Sequence, residues 1–150
     1  MTQLDHSRLS DFIDQKWDES ALPSLSEFIE IPALSPSFDP DWEENGYLDA
    51  AIETFISWIK SLSLKGVSIS VHRLKKRSPL LLVNINGDSE GEVLFYSHLD
   101  KQPEATGWSD GKGPWKAVVE DDWLFGRGSV DDGYGCLLYT SPSPRDSDQS

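Results

Sequence analysis

Residues 93–100 read VLFYSHLD, an apolar run that ends in a histidine and an aspartate two positions apart. The run 93–96 is rich in β-forming residues and predicts a buried strand. Ligands of open α/β sheets bind outside the carboxyl ends of such strands, so we expect His98 and Asp100 at a ligand-binding edge. In an extended chain, residues two apart point to the same side, and the two side chains would share one direction.

The pair has a specific chemical use. A carboxylate beside a histidine can accept the ring N–H, fix the tautomer and leave the other ring nitrogen free for a metal ion. The remaining histidines, His6 and His72, lie on predicted polar faces and are expected to be ordinary surface residues. His98 is therefore the candidate metal ligand.

The chain before residue 66 predicts helices, because apolar residues recur there every three or four positions. The two clearest stripes are Leu9, Phe12, Ile13 and Trp17, and then Leu48, Ala51, Ile52, Phe55, Ile59 and Leu62. Between them, Ser24 and Glu27 have capping-box spacing and predict the start of a short helix. Pro32 should end that helix, since proline supplies no backbone N–H.

The chain after residue 66 predicts strands. Residues 67–71 alternate apolar and polar side chains, and residues 79–85 are nearly all apolar. Residues 115–119 and 123–125 flank three acidic residues and predict a hairpin. Helices followed by buried strands indicate an α/β sandwich with a mixed sheet.

A second motif, GRGSVDDG at 126–133, also follows a predicted strand. Its glycines permit a tight turn and a close approach of backbones. Asp131 and Asp132 would repel each other unless a cation, a hydrogen-bond cage or solvent compensated. The alternatives are a cation site and an acidic surface turn; the spacing of the acids excludes an EF-hand loop.

Together the two motifs resemble the co-catalytic zinc metallopeptidases that include acetylornithine deacetylase, succinyl-diaminopimelate desuccinylase, aminoacylase and the carnosine dipeptidases. That family carries H-x-D at the end of a strand and, further on, G-R-G-x-x-D-[DM]-K-G; here these are HLD at 98–100 and GRGSVDDGYG at 126–135. The helical N-terminus is also similar, and DKQPEATGW at 100–108 is most similar to the dipeptidase branch. Gly133 departs from the family, which often has lysine there.

The resemblance implies a role for each matching residue. His98 would bind one of two zinc ions, and Asp131 would bridge both. Asp100 would be the catalytic-site carboxylate that orients His98. The Asp131–Asp132 peptide would be cis.

The resemblance also implies a fold and an activity. The fold would be a zinc-peptidase-like αβα sandwich with a mixed sheet, truncated to the N-terminal part of the catalytic domain. The activity would be zinc-dependent hydrolysis of peptide or amide bonds, by a dipeptidase or exopeptidase acting on small peptides. Two alternatives are an N-acyl amino acid deacylase of the same family and a non-catalytic acidic binding module.

The family's other site residues are not in this sequence, so the chain is expected to be inactive alone. The family's lid domain, through which the parent protein is expected to form a homodimer, is not in this sequence either. After Asp132 the only acids are Asp146 and Asp148, and no histidine follows. The stretch CLLYTSPSPRD at 136–146 resembles a translated sequencing adapter. We therefore expect residues 1–135 to be native metallopeptidase sequence and residues 136–150 to be a non-native tail.

Charge and composition exclude some partners. The net charge of −13 argues against binding to nucleic acid or to anionic membranes. The first five residues do not resemble a signal peptide, and no apolar run is long enough to span a membrane. The single cysteine, Cys136, excludes an internal disulfide. These features predict a cytoplasmic protein.

Overall fold

A computed structural model describes residues 6–88 and 90–140. The first five residues, considered above for a signal peptide, lie outside the described residues, as do Asp146 and Asp148. No helix in the described ranges is both long and apolar enough to cross a membrane.

The N-terminal helices are continuous. Helix α1 (His6–Lys16) passes through a π-helical turn, Trp17–Ala21, into α2 (Leu22–Glu30). The prediction of a capping box at Ser24 is wrong: Ala21 already has helical backbone angles, so Ser24 lies within the helix and caps nothing. The predicted end is confirmed, because Ile31 is extended just before Pro32.

The core lies between α2 and the longest helix. A short α3 (Trp42–Asn45) and Gly46, with φ +69°, lead into α4 (Tyr47–Ser61). The predicted apolar stripe of α4 is buried from Leu48 through Ile59. Across the interface, the rings of Phe28 and Phe55 meet edge to face, with centroids 5.3 Å apart, a favourable aromatic geometry.

The strands predicted at 67–71 and 79–85 pair with each other, and the hairpin predicted around residues 120–122 also forms. Strands β1 (Val67–His72) and β2 (Leu80–Ile85) are antiparallel, with Val67 opposite Ile85. Strands β3 (Val118–Glu120) and β4 (Trp123–Phe125) form a second antiparallel pair. Asp121 and Asp122 make its two-residue turn with φ of 49° and 63°, the left-handed conformation that tight hairpin turns require.

The prediction of a buried strand at 93–96 is wrong. These residues are irregular, and their side chains are 57–88% exposed. Among the described residues, the named strands form two separate antiparallel pairs rather than one continuous mixed sheet. A parallel contact does occur, as an isolated bridge between Leu34 and Lys101. An apolar run has the composition of a buried strand, but it forms a strand only where a neighbouring strand supplies hydrogen bonds.

Helix α5 (Gly135–Thr140) closes the described chain. Leu137 on this helix is 1% exposed and belongs to the same core as α2 and α4. The division of the chain at residue 135 stays a prediction.

Candidate metal centre

His98 lies at the end of the irregular segment, just before the chain is fixed to the core. The Lys101 N–H donates to the Ala33 carbonyl at 2.8 Å, and the Ser35 N–H donates to the Lys101 carbonyl at 2.9 Å. These two bonds form the parallel bridge beside the end of α2. His98 is thereby positioned from its C-terminal side.

The imidazole orientation follows from its Nδ1 contacts. Nδ1 lies 2.9 Å from the Asp100 carbonyl oxygen and 3.3 Å from the Asp100 carboxylate Oδ1. Because a carbonyl oxygen can only accept, a proton on Nδ1 satisfies this contact, and in that tautomer of the neutral ring Nε2 keeps the lone pair that a metal ion would use. The sequence predicted the partner residue; the structure shows that its main chain and its side chain both take part.

Asp131 meets the other side of the ring. Its Oδ1 lies 3.1 Å from His98 Nε2. The predicted pair is therefore in direct contact although 33 residues separate it in sequence. The peptide between Asp131 and Asp132 is cis, which confirms the bond that the family resemblance implied.

Glycines bring Asp131 to this position. Gly128 has φ +86°, and a methyl group added there would lie 2.8 Å from Lys101 Cε. Gly126 has φ +148°, and a methyl group added there would lie 2.3 Å from the Ile29 side chain. Only glycine fits both the backbone angles and these close approaches. The turn is consequently pressed against α2 and the segment that follows His98.

Asp132 and Ser97 are site residues that the sequence reasoning did not assign. The Ser97 hydroxyl donates to Asp132 Oδ2 at 2.5 Å, and the His98 N–H donates to the same oxygen at 3.3 Å. Ser97 Oγ also lies 2.9 Å from Cys136 Sγ. The usable signal was the Asp131–Asp132 adjacency, because two neighbouring carboxylates need compensation; hydrogen bonds supply it for Asp132.

The carboxylates change the acidity of His98. Burial lowers its pKa, but the hydrogen bond to the Asp100 carbonyl and the charges of Asp100, Asp131 and Asp132 outweigh burial and raise the pKa above 6.5. A proton and a metal ion compete for the same Nε2 lone pair. Acidic conditions therefore oppose metal binding at this nitrogen.

The donor chemistry fits zinc. Imidazole nitrogen and carboxylate oxygen are both common zinc ligands, and Nε2 and Asp131 Oδ1 already converge. Within residues 6–88 and 90–140, no group of three or more His, Cys, Asp or Glu side chains is arranged to hold a metal ion. In this part of the chain, His98 and Asp131 bring two donor atoms of these kinds together.

Comparison with known proteins shows which family model the two motifs match. Residues 94–141 match the model of peptidase family M20/M25/M40. The match includes His98, Asp100 and Asp131, and it confirms the family resemblance seen in the sequence.

Two relatives extend the comparison beyond the motifs. An uncharacterised metallohydrolase of Methanocaldococcus jannaschii is 23% identical over an alignment of 123 residues, and the match covers 79% of this chain and 30% of that protein. The crystal structure of human carnosine dipeptidase 1 matches with a TM-score of 0.69 and 23% identity, over 89% of this chain and 29% of that one. The structural match confirms an α/β fold of the kind predicted. The chain spans about three-tenths of the length of each relative.

Proposed function

We propose that this chain is part of a zinc-dependent hydrolase of peptide or other amide bonds. The observation that carries the proposal is the 3.1 Å contact between His98 Nε2 and Asp131 Oδ1. Two motifs far apart in sequence meet at one point and present two zinc-binding atoms to it. The family match over the same residues supports the hydrolytic reaction.

Each residue has a task in this proposal. His98 would bind zinc through Nε2, Asp100 would hold the ring in the required tautomer, and Asp131 would bridge two zinc ions. Zinc, when bound, supplies Lewis-acid polarisation of the substrate carbonyl and a nucleophilic water at neutral pH. Asp132 would hold the loop of His98 against the Asp131 turn through Ser97 and the His98 amide.

The proposed substrates are small peptides, cleaved by a dipeptidase or an exopeptidase. The support is the DKQPEATGW segment at 100–108 and the Asp131–Asp132 pair, both nearer the peptidase side of the family than the deacylase side. Hydrolysis of N-acyl amino acids is the neighbouring possibility within the same reaction class. The homodimeric state and the cytoplasmic location are proposals that follow from the family resemblance and the composition.

Zinc binding by the 150-residue chain tests the proposal. Isothermal titration with Zn²⁺ should show weak binding that is lost in His98→Ala and Asp131→Ala, because each variant removes one of two donors. His72→Ala is the matched control, since His72 is exposed on β1 and its Nε2 lies 3.1 Å from the Ser70 hydroxyl rather than a carboxylate. Zinc binding that both site variants retain in full would contradict the assigned roles.

Activity belongs to the same experiment. We expect no dipeptide turnover by the purified chain with added zinc, because the described residues bring together only two of the donors that a catalytic zinc site needs. A protein that carries this chain and spans the full length of its relatives should hydrolyse dipeptides, and His98→Ala should abolish that activity. Turnover of dipeptides by the 150-residue chain would refute the proposed division of the catalytic groups.

A further inference from the structure

Lys101 is a fully buried charged residue directly beside the candidate metal centre. Its exposure is 1%, and within the described ranges it is the one polar or charged side chain among the buried residues. The roles proposed above for His98, Asp100 and Asp131 make no use of it. Burying an ammonium group is costly unless hydrogen bonds replace the lost water, so its position needs a structural explanation.

The ammonium group caps the end of α2. Nζ donates to three main-chain carbonyls, those of Phe28 at 2.5 Å, Ile29 at 3.2 Å and Ile31 at 2.7 Å. An ammonium group has three N–H donors, and each has an acceptor here. A cation at the C-terminal end of a helix is also favoured by the helix dipole.

An aromatic ring completes the ammonium site. Nζ lies 4.0 Å from the centroid of the Phe28 ring, a cation–π arrangement. Burial lowers the pKa of Lys101 to about 7; the three carbonyls and the ring act in the opposite direction and favour the charged form. The site is built to hold an ammonium group in one place.

The aliphatic stem of Lys101 contacts the turn that carries Asp131. At Gly128, an added methyl group would lie 2.8 Å from Lys101 Cε and 3.1 Å from Cδ. The turn therefore rests directly on the lysine stem. Gly128 then accepts, through its carbonyl, a hydrogen bond from the Gly133 N–H at 3.0 Å, which closes the loop around Asp131.

The main chain of Lys101 is equally constrained. Its N–H and C=O are both hydrogen-bonded to residues 33–35, and it directly follows Asp100, whose carbonyl oxygen lies 2.9 Å from His98 Nδ1. One residue thus joins α2, the His98 loop and the Asp131 turn.

We infer that Lys101 is a positioning residue that sets the distance and orientation between His98 and Asp131. Its carbonyl-bound ammonium group fixes the stem, the stem supports Gly128, and its main chain fixes the Asp100 carbonyl. The inference rests on the proposed function in one respect, namely that the positioned pair binds zinc. The effect on the imidazole itself is independent of zinc.

The test compares Lys101→Met with Lys116→Met in the 150-residue chain. Methionine keeps most of the stem volume but removes the ammonium group. Lys116 is the matched control, because its Nζ also donates to a main-chain carbonyl, that of Gly111 at 2.7 Å, but lies on an exposed loop. The first measurement is the imidazole ¹⁵N chemical shifts of His98 in metal-free protein at a pH where the ring is neutral.

The wild type and Lys116→Met should give the same ¹⁵N shifts, because in both the ring lies between the Asp100 carbonyl and Asp131 Oδ1. In Lys101→Met the shifts should differ from the wild-type values, because the stem without its ammonium anchor no longer holds the Asp131 turn at its distance from His98 Nε2. The second measurement is zinc affinity by calorimetry, which should fall about 10-fold or more in Lys101→Met, as is typical when a group supporting a metal ligand is removed.

The outcomes separate the two proposals. If the wild type binds no zinc, the proposed function fails, while the ¹⁵N shifts still decide the role of Lys101. If Lys101→Met has lower thermal stability but wild-type His98 shifts, Lys101 is only a helix cap and the inference is overturned.

A second variant covers the case in which Lys101→Met does not fold. Gly128→Ala leaves the ammonium group on α2 and pushes on the stem from the other side. It should alter the His98 shifts in the same way; a folded Gly128→Ala with wild-type shifts and zinc affinity would also overturn the inference.

Discussion

The imidazole ring of His98 is oriented by contacts at both of its nitrogen atoms. Its Nδ1 contacts Asp100, while its Nε2 faces Asp131. The first contact was predictable from sequence, because residues two apart in an extended segment share a side. The second was not derivable from spacing, since it depends on how a turn 33 residues later is placed.

The charge of Asp131 should be measurable through His98. In metal-free protein, Asp131→Asn should lower the pKa of His98, because it removes one carboxylate that stabilises the imidazolium form. Because the pKa of His98 is raised in the folded protein, protonation of His98 stabilises the fold at low pH. This stabilisation is lost as the pH rises through the folded-state pKa. NMR titration of the His98 ring protons provides the measurement.

Asp110→Asn is the control for that titration, because Asp110 is an exposed carboxylate on the loop between residues 102 and 116. It should leave the His98 pKa unchanged. An equal pKa change in both variants would mean that net charge acts on His98 rather than the contact with Asp131.

Among the helices and strands, the periodicity of apolar residues predicted the type of element correctly. Features that depend on residues elsewhere in the chain were not predicted correctly. The α4 stripe from Leu48 to Ile59 and the alternation in strand β1 are local patterns, and both elements form as predicted. The capping box at Ser24 was wrong because the preceding helix continues through it. The run 93–96 was wrong because a strand depends on a neighbour that the run itself does not specify.

The α2–α4 interface should carry much of the stability. Phe55→Ala should lower the free energy of unfolding by about 3–5 kcal/mol, because it removes a buried ring and leaves a cavity against Phe28. Urea denaturation followed by circular dichroism measures this difference. Phe38→Ala is the control: Phe38 is 48% exposed in the loop after α2, and its loss should cost far less. Similar values for the two variants would place the core elsewhere.

Across the whole molecule, a well-packed helical half contrasts with an exposed apolar segment, residues 93–96. Helices α2 and α4 bury their apolar faces, whereas Val93, Leu94 and Tyr96 are 78%, 88% and 84% exposed. The α/β class could be predicted from sequence because helices and strands are each encoded locally. The sheet order could not, since it is a relation between segments far apart in the chain.

The exposed segment should make the isolated chain self-associate. Contiguous exposed apolar residues with strand propensity are a common cause of association. Analytical ultracentrifugation should show concentration-dependent association that the double substitution Leu94→Glu and Tyr96→Glu reduces. Leu74→Glu, at a 70% exposed position in the β1–β2 loop, is the control and should have little effect. Equal reduction by the control would show that added charge alone prevents association.

The contact between Lys101 and the Phe28 carbonyl joins residues 73 apart in the chain. Closing so long a loop reduces the entropy of the chain before the contact can stabilise it, and contacts of this range slow folding. Helix α2 can therefore begin to form early, but its C-terminal end acquires its cap only when the chain as far as residue 101 is available. In kinetic terms, the completion of α2 and the assembly of the histidine–aspartate pair are expected to be one late event of folding.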